Sequence, residues 1–152
     1  MRFRIVAVGR PRDPALSAAI AEYERRAARY WPLEAIEVKE GGSSRDPSVV
    51  REREGESLLE RARDCVVVAC DEAGDALDSR GFAAAMQGWR EAARDVAFII
   101  GGAHGLSDAV KRHSQRRVAL APWTLPHELA RLVLAEQLYR AGTLVRGEPY
   151  HK

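Results

Sequence analysis

Hydrophobic and polar residues alternate along this chain in two distinct rhythms, and the switches between them lay out its elements. Phe3-Arg4-Ile5-Val6-Ala7-Val8 reads as an opening strand closed by a turn at Gly9. From 14 to 30 the period becomes helical, with Leu16, Ala19, Ile20, Tyr23, Ala27 and Tyr30 on one stripe and Glu22, Arg25, Arg26 and Arg29 opposite. Leu33 to Val38 is a second strand, and Glu40 to Pro47 a polar loop whose Gly41-Gly42-Ser43-Ser44-Arg45 is the flexible-looking part. Ser48 is a candidate cap for a charged helix ending near Arg63. Cys65-Val66-Val67-Val68-Ala69-Cys70 is apolar without alternation, as in a strand covered on both faces. Phe82, Met86, Trp89 and Ala93 mark the inner stripe of a helix with Ser79 as its candidate N-cap. A strand from Val96 to Ile100, a short helix after Ser107, a strand from Val118 to Ala121 and a long apolar helix from Pro126 to about Arg146 complete the pattern. Gly147 stops that last helix, with Pro149 two residues on.

Five strands alternating with helices predict an α/β fold in three layers around a parallel-dominated sheet. No repeat, low-complexity tract or linker divides the chain, so residues 1–152 are expected to form one domain. That length suffices to bury about 70% of the unfolded surface. A net charge of +2 does not mark a nucleic-acid binder, so any contact with RNA has to come from local patches. Lys111, Arg112, His113, Arg116 and Arg117 form one basic cluster, and Arg25, Arg26 and Arg29 another; each is either a solvated face or a phosphate contact. There is no apolar run of membrane-spanning length, and two cysteines without a secretion signal suggest a reducing cytoplasm. Cys65 and Cys70, five apart in one strand pattern, face opposite sides of the sheet and are not expected to bridge.

Several chemistries are excluded by their missing motifs. No G-x-G-x-x-G follows the first strand, and neither G-x-x-x-x-G-K-[ST] nor G-x-S-x-G occurs. His127-Glu128-Leu129-Ala130-Arg131 begins like a zinc-protease helix but carries arginine where the second histidine must stand. The histidines and cysteines have no ligand spacing, and no metal is expected.

What remains is a constellation in the last third. Gly101-Gly102, at the end of the fourth strand, lets backbone approach a ligand closely. The loop Leu120-Ala121-Pro122-Trp123-Thr124-Leu125 is stiffened by proline, with Thr124 placed to cap the next helix. Either loop alone is an ordinary packed turn; set side by side by the topology, the two would wall a pocket. In the last helix Glu136 and Arg140 stand i, i+4 in the favourable order, on the same stripe as Leu129, Leu132 and Val133. They are either a half-exposed salt bridge or an arginine held at an interface between two copies and aimed at substrate. Tyr150-His151-Lys152 is either a frayed end or a source of the polar groups that such a pocket lacks.

Ile100-Gly101-Gly102, Gly105-Leu106, Thr124-Leu125-Pro126-His127, Tyr139-Arg140-Ala141 and Pro149-Tyr150-His151 resemble the motifs of the SPOUT superfamily of knotted methyltransferases. The likeness extends from Val6-Ala7-Val8-Gly9 through Glu22-Tyr23 to the tail and is narrowest with the ribosomal large-subunit RNA methyltransferase H family. That resemblance implies a deep C-terminal trefoil knot, a homodimer with active sites between subunits, and S-adenosylmethionine as cofactor. It places the cofactor against Cys70, Gly101, Leu120, Ala121, Pro122, Trp123, Thr124 and Leu125. It further implies methylation of N3 of a pseudouridine in 23S rRNA of the assembled ribosome. His151 would then be the base, Tyr150 would orient or stack on the target, and Arg140 would stabilise the developing anion. The alternatives are a non-catalytic, ribosome-associated RNA-binding module of the same fold and a small-molecule nucleotide-binding enzyme.

Overall fold

Alternation along each strand sends successive side chains to opposite faces, and in the central strands both faces are apolar, so helices must cover both. In the computed structural model, which describes residues 1–152, that is what the chain does. Its elements are β1 (Phe3–Val8), α1 (Pro14–Ala27), β2 (Leu33–Val38), α2 (Pro47–Arg61), β3 (Val66–Asp75), α3 (Ser79–Glu91), β4 (Val96–Ile100), α4 (Asp108–His113), β5 (Arg116–Val118) and α5 (His127–Arg146). The five strands form one parallel sheet in the order β2-β1-β4-β3-β5. Phe3, Ile5, Val66, Val68, Val96, Phe98 and Ile100 point to the face packed by α1, α3 and α5, where Trp31, Met86, Leu134 and Leu138 are fully enclosed. Val6, Val8, Val67, Ala69, Ala97 and Ile99 point the other way, onto Leu58 and Ala62 at the end of α2 and Val110 of α4. Burying a side chain such as Leu134 or Leu138 contributes about 1.5–3 kcal/mol.

β3 runs past its expected end at Cys70 to Asp75, because both residues pair with the same partner, Val118. The segment between them wraps around the short β5 so closely that a Cβ on Gly74 would lie 2.6 Å from the backbone carbon of Arg117. That wrap and the strand order fit the knotted topology implied by the resemblance. β5 itself covers Arg116–Val118 rather than Val118–Ala121, since residues 119–121 turn away to form a loop.

Other differences are local. Asp46 and Asp78, not Ser48 and Ser79, cap α2 and α3, their carboxylates accepting from the Ser48 and Gly81 amides. Ser107 caps α4, its hydroxyl accepting from the Val110 amide at 3.2 Å. Thr124 does not cap α5, which starts at His127 without a side-chain cap; the Thr124 hydroxyl donates instead to Glu72. The Gly41-Gly42 loop is tied down, with Gly41 buried and its amide donating to Glu54 at 3.2 Å. Gly147 closes α5 with a φ of 68°, a left-handed cap that turns the tail back along the helix.

Candidate active site

The carboxyl ends of β3, β4 and β5 lie together, and the loops leaving them enclose a cavity of about 410 Å³. Cys70, Gly101, Leu120, Ala121, Trp123, Thr124 and Leu125 all line it; Pro122 does not and is exposed. Glycine is required where the wall folds on itself. A Cβ on Gly101 would stand 2.8 Å from the backbone C and O of Gly105 and 3.0 Å from Leu106. Burial pushes the Cys70 thiol up to about 12, so it presents a neutral, weakly polar surface rather than a thiolate. Cys65 and Cys70 are both free and pack with opposite cores, as alternation predicts.

Several wall residues were not legible in the sequence. Glu72, His104, Lys111 and His127 also line the cavity, from the β3 overshoot, the glycine loop, α4 and the first turn of α5. The overshoot that brings Glu72 in depends on long-range strand pairing, which has no local sequence signal. Ile100, Leu106, Leu120 and Leu125 supply apolar wall, and the glycine backbone supplies close approach.

Arg140, Tyr150 and His151 come together, but elsewhere on the surface: none of the three lines the cavity. The tail folds back onto α5, where the Arg140 guanidinium donates to Nδ1 of His151 at 3.0 Å. Glu136 gathers the rest: one carboxylate oxygen accepts from Arg140 Nε at 3.0 Å, from its terminal nitrogen at 2.6 Å, and from the Tyr150 hydroxyl at 3.0 Å. The Tyr150 ring lies 4.8 Å from the Arg140 guanidinium carbon and 4.6 Å from the Tyr139 ring. Burial, and then the Glu136 carboxylate, raise the Tyr150 phenol above its ordinary range and keep it protonated. Hydrogen bonding to Glu136 strengthens the charge on Arg140. Below the cluster, the Tyr30 hydroxyl donates to Glu148 and the Arg146 guanidinium stacks 4.7 Å over the Tyr30 ring. Gly142 admits that ring, since a Cβ there would stand 2.3 Å from its Cγ.

The stripe of α5 that carries this cluster is only partly covered within the chain. Leu129 is exposed, and Leu132, Val133, Glu136 and Arg140 are half-buried. Arg131, where a zinc helix would need histidine, is buried between Glu24 at 2.7 Å and Glu37 at 3.0 Å and ties α5 to α1 and β2. Of the basic clusters, Arg25 and Arg26 are engaged by Glu22, Arg116 by Asp75 and Arg117 by Asp71, whereas Lys111 and Arg112 make no ion pair.

The family model described as predicted SPOUT methyltransferase matches residues 1–151. A protein of Gemmatimonas aurantiaca named ribosomal RNA large subunit methyltransferase H is 60% identical over the full length of both chains. One of the same name from Anaeromyxobacter sp. strain Fw109-5 is 47% identical, again over both full lengths. Among solved structures, a probable methyltransferase from Bordetella pertussis superposes with a TM-score of 0.57 at 18% identity, over 92% of this chain and 95% of that one. A probable methylase family protein from Haemophilus influenzae gives 0.57 at 16%, over 99% of this chain and 70% of that one. These two likenesses concern the fold. With nearly every residue matched by the family model and close relatives along its whole length, the chain belongs to the SPOUT methyltransferase family.

Proposed function

We propose that this protein is an S-adenosylmethionine-dependent methyltransferase acting on N3 of a pseudouridine in 23S rRNA of the assembled ribosome, as a cytoplasmic homodimer of one-domain subunits. The observation that carries this reading is the gathering of Arg140, Tyr150 and His151 on α5, in a chain 60% identical to a ribosomal RNA large subunit methyltransferase H. The cavity fits the cofactor: it has nucleoside size, apolar walls at Leu120 and Leu125, and a glycine cradle at Gly101 that a Cβ would fill. Cys70, Gly101 and the loop from Leu120 to Leu125 would hold it, with Pro122 stiffening the loop from outside. Bound there, S-adenosylmethionine would supply an electrophilic methyl group.

The chain's own residues have the proton to manage. N3 of pseudouridine is an imide nitrogen protonated at neutral pH, and it must lose that proton as it takes the methyl. Because arginine can only donate, the contact with Arg140 makes Nδ1 of His151 the acceptor and leaves the ring proton on Nε2. When Arg140 turns to the carbonyl oxygen of the target, it stabilises the developing anion and frees the Nδ1 lone pair for the N3 proton. Tyr150, kept neutral, is left as a ring to stack on the base and a donor to orient it.

Separation of the cavity from the tail within one chain, together with the partly uncovered α5 stripe, supports a dimer in which one subunit's tail meets the other's cofactor. Lys111 and Arg51, which line the cavity without an ion pair, and Arg112 beside them are basic groups available for phosphate. The non-catalytic module is the second reading. Labelled methyl transfer from S-adenosylmethionine to ribosomes from cells lacking this protein separates them, with subunits and assembled ribosomes run in parallel. Methyl mapped to one pseudouridine of the large-subunit RNA is the expected result. Ribosome binding without transfer would overturn the enzymatic reading.

A further inference from the structure

Four polar or charged side chains are buried in this protein: Glu54, Ser107, Arg131 and Thr143. Three are satisfied: Ser107 caps α4, Arg131 pairs with two glutamates, and Thr143 donates to the Arg140 carbonyl. Glu54 is not. It is 4% exposed; one carboxylate oxygen accepts from the Gly41 amide at 3.2 Å, and the other, Oε1, has no partner. An unpartnered buried carboxylate is costly, and an arriving positive charge relieves that cost.

The placement indicates where such a charge would arrive. Gly102 lines the cavity, and the position its missing Cβ would take is 3.0 Å from both carboxylate oxygens of Glu54. No side chain at that position therefore separates the carboxyl from the cavity wall. Burial raises the carboxyl above its ordinary range; Gly41 and the imidazoles of His104 and His127 oppose this, and Glu40 adds to it.

We propose that Glu54 is a specificity determinant of the cavity, a carboxylate behind Gly102 that favours a cationic sulfonium over the neutral thioether left after methyl transfer. This rests on the cofactor reading above. Preference for the cation would also help release the spent product. The test is calorimetric titration of the full-length protein, wild type and Glu54→Gln, with three probes: S-adenosylmethionine, S-adenosylhomocysteine, and sinefungin, in which a protonated amine replaces the sulfonium. We expect Glu54→Gln to weaken the two cationic ligands about tenfold and to leave the neutral one within about twofold. Equal weakening of all three, or of none, would overturn the proposal. Should the amide variant not fold, Glu54→Asp keeps the charge and must keep the preference; a folded Glu54→Asp without it counts equally against the proposal. Wild-type protein that binds none of the probes refutes the cofactor reading itself, an outcome distinct from binding without preference.

Discussion

The cavity at the strand ends and the cluster on α5 are built from different materials. The cavity is walled by glycine backbone at 101, 102 and 105, by Leu120 and Leu125 on a loop held by strand pairing, and by separate polar side chains such as Glu72, His104, Lys111 and His127. The α5 cluster is mainly side chains, with Glu136 receiving Arg140 and Tyr150, and Arg140 reaching His151. A shape made by a parallel sheet is complete in one chain and tolerates varied side chains, which is why an exposed Trp123 can stand on its rim. A network of charged and phenolic groups fixes protonation and direction but needs a substrate brought to it. The two regions do not overlap within one chain, so the proposed division between cofactor binding and proton transfer would also be a division in space.

The sharpest way to test that division is to damage one region and watch the other. His151→Ala should lower turnover about 10²–10⁴-fold while the calorimetric affinity for S-adenosylmethionine stays at its wild-type value. An unchanged turnover would remove His151 as the base. Gly101→Ala should do the reverse, weakening cofactor affinity about a hundredfold, because the new Cβ stands 2.8 Å from backbone that cannot move aside. Circular dichroism separates that loss from unfolding, and normal binding by the variant would mean the glycine wall is not the cradle. Co-expression of the two inactive variants then asks whether the regions meet across subunits. Mixed dimers carry one site with both lesions and one with neither, so methyl transfer should recover to about a quarter of wild type. No recovery would place cavity and tail of the same chain in one site. The smallest effect concerns the clamp under the tail. Hydrogen bonding to Glu148 raises the Tyr30 phenol from 10.0 to about 12, so the unfolded chain loses this proton first as pH rises. The contribution is whole below about pH 10 and fades as pH rises toward 12. Thermal melts of wild type and Tyr30→Phe should therefore differ by a constant amount below that window and converge within it; a constant difference throughout would deny Tyr30 the role.

Much of this was legible along the chain, and unevenly so. The apolar run Val66–Ala69 and the strand Val96–Ile100 carry their own assignment, since period and β-branching need no distant partner. Gly147 announces its helix stop because left-handed backbone favours glycine. Caps were harder: Asp46 beats Ser48, and Asp78 beats Ser79, because a proline or helical geometry one residue later decides which oxygen meets the free amides. β5 starts two residues and ends three residues before the span its apolar pattern predicts, because its register comes from pairing with β3 at Val118 and not from its own side chains. Pro122 is exposed and does not line the cavity, because stiffening a loop does not require facing its interior.

By itself, the sequence determined the layered α/β fold, the glycine loop, the two cysteines on opposite faces, and the residue types that pair on α5. These follow from local periodicity, steric permission and i, i+4 spacing, which act over a few residues. Only the tertiary structure decided that Glu72, His104 and His127 join the cavity wall, that Glu54 lies unpaired behind Gly102, and that Tyr150 and His151 fold back onto Glu136 and Arg140. Each of those depends on contacts between residues far apart in the chain, whose geometry is fixed when the sheet closes and not before.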